Sequence, residues 1–198
     1  MFRNYLLTAY RNLNKTKLFS FINIFGLAIG MAACLLILHY VNFENSYDTF
    51  NKNGDRIYRI RYERYGEDGS AQKFASCAPP VGYLVRERHS EVEKLGRVLR
   101  YKAGVSHEEI KFMEERMYFA EPQFFGIFDF NFLIGNPEVE LAQPNKTFIS
   151  QSTAKKYFGD ENPIGKIISV DKQYNYEVVG IFEDLPLNSH IKFDIILP

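Results

Sequence analysis

The hydrophobic and polar positions set one long apolar stretch apart from the rest of the chain. Residues 18–43 read LFSFINIFGLAIGMAACLLILHYVNF and contain no charged side chain. A helix of that length extends ~39 Å, which exceeds the ~30 Å hydrocarbon core of a bilayer. The neutral amide of Asn23 opposes insertion less than a charge would. The pattern predicts one transmembrane helix over residues 18–43.

The residues before this stretch predict an amphipathic helix over residues 1–17. Its apolar positions share an arc of about 100° when the sequence is wound at 3.6 residues per turn, and they are Phe2, Tyr5, Leu6, Ala9 and Leu13. Such a helix can lie in the inner interface of a membrane, with its cations facing anionic lipid. The alternative is a plain positive flank that only orients the span.

The flanking charges predict how the span is oriented. Four basic residues and no acidic residue precede it, and they are Arg3, Arg11, Lys15 and Lys17. The first charges after it are Glu44 and Asp48. The positive-inside rule then predicts a cytoplasmic N-terminus and residues 44–198 in the periplasm of an inner membrane protein. A cleaved signal peptide would have a shorter apolar region.

The residues after the span predict an α+β domain on a stalk. Residues 44–54 are expected to continue the span as a stalk helix, ended by Gly54. Alternating patterns and turn signals then predict a mixed α+β domain over residues 55–198. Strands are expected near 58–64, 72–76, 95–102, 110–120, 130–134, 146–150, 166–170, 176–182 and 192–197, and helices near 80–89, 122–128 and 151–158.

Composition and charge narrow the function classes. Lys plus Arg and Asp plus Glu both number 24, so the formal net charge is zero. A neutral chain gives no reason to expect a nucleic-acid partner. Cys34 lies within the span and Cys77 far beyond it, so the two are not expected to pair. Cys77 is expected to be a buried, small apolar residue.

The sequence contains no convincing catalytic or cofactor motif. Residues 159–166, GDENPIGK, resemble a phosphate-binding loop, but five residues separate the glycines and Ile167 replaces the required Ser or Thr. His89, His107 and His190 lack a second histidine at metal-ligand spacing. There is no nucleophile elbow. We therefore expect no enzyme, no cofactor and no metal site.

Two glycines inside the apolar stretch form a G-x-x-x-G pair. Gly26 and Gly30 would let another helix backbone approach closely on that face. The alternative is coincidence, since glycine is common in transmembrane helices.

Two segments resemble a known family. Residues 152–166, STAKKYFGDENPIGK, and residues 176–194, YEVVGIFEDLPLNSHIKFD, are similar to the periplasmic core domain of MacB-like ABC transporter permeases. The order of a basic lead, one span, Tyr47-Asp48-x-Phe50 and Arg56-Ile57-Tyr58-Arg59 is also similar, above all to long permeases of the Bacteroidota. The motif residues, to which the resemblance assigns a structural role, are Phe158, Gly159, Pro163, Gly165, Gly180, Pro186, Ser189 and His190.

The resemblance implies mechanical coupling. In that family a separate ABC ATPase subunit drives movement of the periplasmic domain, for lipoprotein handling or for export of toxins and peptides, antimicrobial peptides included. Family members have further transmembrane segments or a further permease half, so this chain is expected to be a fragment, a truncated product or a split half. Its expected partners are the ATPase, those segments and the lipid bilayer. The alternatives are an FtsX-like regulator of cell-wall hydrolases and a single-span sensor or binding module.

Overall fold

The computed structural model describes residues 2–198, apart from the side chains of Phe2, Leu6, Ala9 and Asn12. Met1, and three side chains of the apolar face expected in residues 1–17, therefore lie outside the described residues. The chain divides into two compact units, Met1–Tyr47 and Asp48–Pro198.

The first unit consists of two helices. Helix α1 spans Phe2–Lys15 and α2 spans Lys17–Asn45. At the corner between them the Ser20 hydroxyl donates a hydrogen bond to the Leu13 carbonyl oxygen at 3.1 Å. Within the described residues, α2 is the one helix long and apolar enough to cross a membrane.

The prediction of a stalk helix over residues 44–54 is wrong beyond Asn45. Helix α2 ends there, and residues 46–50 form turns. Asp48 adopts a left-handed backbone with φ 56°. Its amide N–H donates to the carbonyl oxygen of Asn188 at 2.9 Å, so it leaves the helical hydrogen-bond ladder for a distant loop. Sequence periodicity could not show this long-range partner.

The second unit is built from nine strands and three α-helices, which confirms the α+β fold class. The strands are β1 Tyr62–Tyr65, β2 Ala71–Phe74, β3 Val98–His107, β4 Ile110–Ala120, β5 Phe132–Ile134, β6 Lys146–Ser150, β7 Ile167–Val170, β8 Tyr174–Phe182 and β9 Ile195–Leu197. The α-helices are α3 Pro80–Arg88, α4 Pro137–Glu140 and α5 Gln151–Phe158, and 3₁₀ turns cover Gly54–Arg56 and Pro122–Gly126.

Seven of the strands form a sheet that closes on itself. Their order is β5-β8-β6-β9-β4-β3-β7, and β7 also pairs with β8. The pairs β4–β9 and β6–β8 are parallel, and the other pairs are antiparallel. Six strands therefore form a ring, with β5 attached to β8 outside it. Ring closure leaves fewer open strand edges.

The core has two parts that meet at β9. One cluster contains Ile195 and Leu197 together with Met117, Ile149 and Tyr157. The other is rich in phenylalanine and comprises Ala120, Phe124, Phe125, Leu141, Phe148, Phe182, Phe193 and Ile196. Because side chains alternate along a strand, the neighbours in β9 enter opposite clusters and the strand is buried on both faces.

Strands β1 and β2 form a separate two-stranded sheet. Of residues 58–76, only Ile60 and Glu63 are partly shielded, and the others are exposed. This ribbon therefore contributes little to the core.

Candidate coupling site

Asp48, the first residue of the second unit, is fixed to a distant loop of the same unit through its carboxylate. Its Oδ1 accepts a hydrogen bond from the His190 backbone N–H at 3.0 Å. Its Oδ2 lies 2.7 Å from His190 Nδ1, which donates to the carboxylate in the matching tautomer. Charge-assisted bonds of this kind are stronger than neutral ones. Asp48 is thus held at both oxygens by a loop about 140 residues away.

Ser189 completes this attachment from a buried position. Only 1% of its surface is exposed. Its hydroxyl can donate to the Ile191 carbonyl oxygen at 2.9 Å or to Asp48 Oδ1 at 3.2 Å. Either acceptor satisfies a hydroxyl that could not be buried without a partner. The loop therefore holds the Asp48 side chain with a hydroxyl, a backbone N–H and an imidazole.

Asn51 ties the same turn to a second loop. It is 7% exposed, and its Oδ1 accepts from the Asp129 backbone N–H at 3.0 Å. Its Nδ2 donates to the Asp48 carbonyl oxygen at 3.1 Å. We call Asp48, Asn51, Ser189 and His190 the junction.

Aromatic packing continues from the junction into the core. The ring of Phe50 lies 6.5 Å from that of Phe130, and Phe130 packs edge-to-face on Phe193 at 5.0 Å. Phe193 is buried in the phenylalanine-rich cluster. A displacement of Phe50 would therefore press on packed rings, which deform little.

The chain runs directly from the junction residue His190 into β9 of the six-stranded ring. Three residues after His190, Phe193 enters the core, and Asp194 follows it. The Asp194 backbone N–H donates to the Arg116 carbonyl oxygen at 2.7 Å, and Arg116 Nε donates to Asp194 Oδ2 at 2.7 Å. Burial raises the pKa of the Asp194 carboxyl, and the charge of Arg116 opposes that rise. Strand β9 then lies between β4 and β6.

The junction resembles a catalytic Ser-His-Asp arrangement but lacks its geometry. In such a triad the hydroxyl is hydrogen-bonded to the imidazole. Here the Ser189 hydroxyl bonds to Asp48 or to a backbone carbonyl, and it is buried. Among the described residues there is also no group of three or more His, Cys, Asp or Glu that could hold a metal. The arrangement can hold two chain segments together, and it offers no exposed nucleophile.

The first half of the predicted motif does not reach the junction. Phe158 is buried at the end of α5, where its ring lies 4.4 Å from that of His107. Gly159 ends α5 with φ 61°, and Gly165 has φ 82° in the following turn. Pro163 is buried in that turn. These residues shape the connection from α5 to β7, because left-handed backbone suits glycine.

The second half of the motif leads to the junction. A Cβ at Gly180 would lie 2.0 Å from Phe148 Cε1 and 2.6 Å from the Ile134 carbonyl oxygen, so the packing of the Phe148 ring over this position requires glycine. The Pro186 carbonyl oxygen accepts from the Ser189 N–H at 3.1 Å and closes the turn. Ser189 and His190 then contact Asp48.

The predicted membrane residues lie on the first unit. A Cβ at Gly26 or Gly30 would meet nothing within 4 Å, so the face that they share is open in this chain. Arg3, Arg11, Lys15 and Lys17 are exposed on α1 and at the start of α2.

Sequence reasoning missed Asp48 and Asn51 as site residues. The sequence marked Asp48 as a charge after the span and as part of Tyr47-Asp48-x-Phe50, but its role depends on a loop far along the chain. A usable signal was the expected stalk helix itself. It places an acidic residue between aromatic residues shortly after a span, and aspartate at such a position favours a turn in which the carboxylate accepts backbone hydrogen bonds.

Cys34 and Cys77 do not form a disulfide with each other. Cys34 is exposed on α2, and Cys77 is partly buried, so Cys77 is less enclosed than the sequence predicts.

Comparison with known proteins agrees with the fold. A family model described as "MacB-like periplasmic core domain" matches residues 20–198. A crystal structure of a domain of a candidate permease protein from Porphyromonas gingivalis is 26% identical, with a TM-score of 0.65 over 75% of this chain. The match covers 65% of that domain. No curated protein sequence matches the chain.

Two further solved structures have lower similarity. The periplasmic region of MacB from Actinobacillus actinomycetemcomitans is 17% identical, with a TM-score of 0.45 over 77% of this chain and 66% of that one. The extracellular domain of the noncanonic ABC-type transporter YknZ from Gram-positive bacteria is 17% identical, with a TM-score of 0.43 over 54% of each chain.

Proposed function

Since the chain belongs to the family of MacB-like periplasmic core domains, a transporter-permease family and not an enzyme class, we propose that it couples ATP hydrolysis to movement of a folded domain outside the cytoplasm. The observation that carries the proposal is the junction. A single acidic side chain directly after the apolar helix binds the loop that leads into β9. Such a connection is suited to transmitting force and not to chemistry.

Helix α2 supplies the membrane anchor in this proposal. Its 29 residues extend about 43 Å at 1.5 Å per residue, which is enough to cross a bilayer with some tilt. Its large apolar side chains are exposed along most of its length. Exposed Leu, Ile and Phe side chains in water would be unfavourable, whereas lipid accommodates them.

The basic residues of the first unit favour a cytoplasmic N-terminus. Arg3, Arg11, Lys15 and Lys17 lie close to the span and have no acidic neighbour. Basic residues also occur in the second unit, but charges within long translocated domains carry little weight in orientation. The second unit would then lie in the periplasm, with α1 in the inner interface.

The proposed partners are a separate ABC ATPase subunit and further transmembrane helices. The open face at Gly26 and Gly30 supports helix packing, because small residues let another backbone approach. Closure of the ATPase on the cytoplasmic side would move α2 within the membrane. The junction would pass that displacement to β9 and the phenylalanine-rich cluster, for export or for handling of a lipoprotein or peptide.

The test uses the tagged full chain, isolated with its bound ATPase from native membranes. Leu187 is 79% exposed beside the junction, and the thiol of Leu187→Cys is labelled with and without ATP in a Cys34→Ser, Cys77→Ser background. We expect ATP to change the labelling rate. Asp48→Asn should keep the ATPase bound but abolish this change, since the carboxylate is the link. Asp55→Asn, an exposed acid nearby, is the matched control and should behave as the parent.

Two outcomes would contradict the proposal. One is failure of any ATPase to copurify with the chain. The other is an ATP-dependent labelling change that persists in Asp48→Asn. Copurification of a cell-wall hydrolase, without ATP-driven cargo movement, would instead favour an FtsX-like regulator.

A further inference from the structure

The ribbon of β1 and β2 has two chemically different faces. Strand register places Tyr62 opposite Phe74 and Arg64 opposite Gln72, so these four residues share one face. The other face carries Glu63 opposite Lys73. There Glu63 accepts from Arg61 at 3.0 Å and lies 3.8 Å from Lys73 Nζ. Glu63, the one acidic residue of β1 and β2, is thus neutralised on its own face, and neither strand places an acidic residue on the Tyr62 face.

The Tyr62 face combines aromatic rings with an unpaired cation. The rings of Tyr62 and Phe74 lie 5.9 Å apart. Arg64 forms no ion pair with any described residue, and both rings remain substantially exposed. Ser76 and Cys77 line the same shallow depression. The face therefore offers apolar ring surface beside a positive charge.

Nothing in the second unit explains this composition. The ribbon pairs with no strand of the seven-stranded sheet. A two-stranded sheet alone is marginally stable in water, and burying one face against another body would stabilise it. The occupant should accept aromatic rings and attract a guanidinium, and it should present a broad surface, because the depression on this face is shallow and open.

We propose that the Tyr62 face of the β1–β2 ribbon rests on the headgroup layer of the membrane that α2 spans, with anionic phospholipid headgroups as its ligand. This inference rests on the membrane-spanning role proposed for α2. Tyrosine and arginine both place an apolar body at the acyl boundary and a polar end among headgroups. Anionic headgroups complement Arg64, since no carboxylate of the two strands competes on this face.

Tethering favours the membrane over a separate protein partner. Tyr62 follows Asn45, the last residue of α2, by only 17 positions. Such a segment spans at most about 60 Å when fully extended, so the ribbon stays within that distance of the end of α2. Because α2 tethers the ribbon to the membrane, the effective concentration of the membrane surface at the ribbon is high. Even a weak contact between the two would therefore form.

The test exploits the absence of tryptophan from the chain. The full chain carrying Tyr62→Trp is reconstituted in vesicles of phosphatidylglycerol and phosphatidylcholine whose acyl chains are brominated near the headgroup. We expect blue-shifted emission and strong quenching by the bromines. Tyr174→Trp is the control, because Tyr174 is 57% exposed on β8 and Tyr62 is 49% exposed. Its emission should be quenched far less.

Charge is tested in the same background. Adding Arg64→Gln to Tyr62→Trp should lower the ratio of lipid-bound to free ribbon about fivefold, the effect of one basic residue at an anionic surface. Vesicles of phosphatidylcholine alone should lower it comparably. Lys73→Gln, on the opposite face and beside Glu63, should have less effect.

Several results would overturn the inference. Unquenched tryptophan at position 62, or equal quenching at 62 and 174, would exclude the specific contact and leave an acidic protein as the better occupant. Equal quenching with and without phosphatidylglycerol would exclude recognition of anionic headgroups. Extraction of the chain from vesicles by alkaline carbonate would instead contradict the membrane role of α2, so the two failures are distinguishable.

Discussion

Single residues fix the close approaches of this domain, and Gly180 is the tightest of them. A Cβ there would overlap the Phe148 ring and a backbone carbonyl, neither of which can move without disturbing the core. We expect Gly180→Ala to lower the free energy of unfolding by about 1–3 kcal/mol, the usual cost of overpacking. Chemical denaturation of the full chain in detergent measures this.

Gly104 provides the control for that prediction. It also lies in a strand, but the nearest atom to its Cβ would be Asp171 Oδ1 at 3.8 Å. Gly104→Ala should change the free energy of unfolding by no more than about 0.5 kcal/mol. Equal stability of the two variants would contradict the steric explanation.

Glu121 makes stability depend on pH. It accepts hydrogen bonds from Arg97 Nε at 2.9 Å and from the Tyr83 hydroxyl at 3.0 Å, which together fasten α3 to the residues that precede β3 and follow β4. The hydrogen bond from Arg97 lowers the pKa of Glu121 below its ordinary value of 4.5. Its contribution is therefore present above pH 4.5 and is lost as the pH falls through the folded-state pKa.

Glu121→Gln should remove this pH-dependent contribution. At pH 7 we expect the variant to be less stable than the parent by about 1.5–3 kcal/mol, the scale of hydrogen bonds to a charged group. The difference should shrink as the pH is lowered below 4.5. Denaturation curves at several pH values measure it, and a difference independent of pH would show that the charge of Glu121 is not responsible.

At the scale of elements, local patterns predicted much of the second unit. The expected strands over 110–120 and 146–150 and the helix over 151–158 match β4, β6 and α5. Alternation and caps are encoded in neighbouring residues, which is why these bounds are accurate. Ser150, for example, caps α5 by accepting from the Thr153 N–H at 3.2 Å.

Non-local pairing limited the rest of that prediction. The closure of β7 on β8 and the position of β9 between β4 and β6 join distant segments, so no local pattern specifies them. The expected stalk helix failed for the same reason, since Asn188 captures the backbone of Asp48. In the candidate site, the motif identified Ser189 and His190 as structural residues but not their acidic partner.

Helix α2 carries a prediction about assembly. If the open face at Gly26 and Gly30 packs on another helix, Gly26→Leu should reduce association with partner membrane segments several-fold, because leucine would force the backbones apart. Ala28→Leu places the same side chain on a different face and is the control. Crosslinking in native membranes measures association. Unchanged crosslinking in Gly26→Leu would indicate that the glycine pair is coincidental.

At the scale of the whole molecule, the proposed topology places the N-terminus and the second unit on opposite sides of the membrane. In intact cells with a permeabilised outer membrane, an impermeant thiol reagent should label Tyr174→Cys. It should label Arg3→Cys only after lysis, because the basic N-terminus is expected in the cytoplasm. A Cys34→Ser, Cys77→Ser background removes the native thiols. The reverse labelling pattern would contradict the proposed orientation.

The place of β9 in the ring also bears on how the protein is made. Residues 195–197 fill the gap between β4 and β6, so the ring cannot close during synthesis until these residues have been made and can pair. Until then, the apolar edges of β4 and β6 face solvent without their central neighbour. The nascent domain therefore has two strand edges without a partner, which can aggregate until β9 takes its place between them.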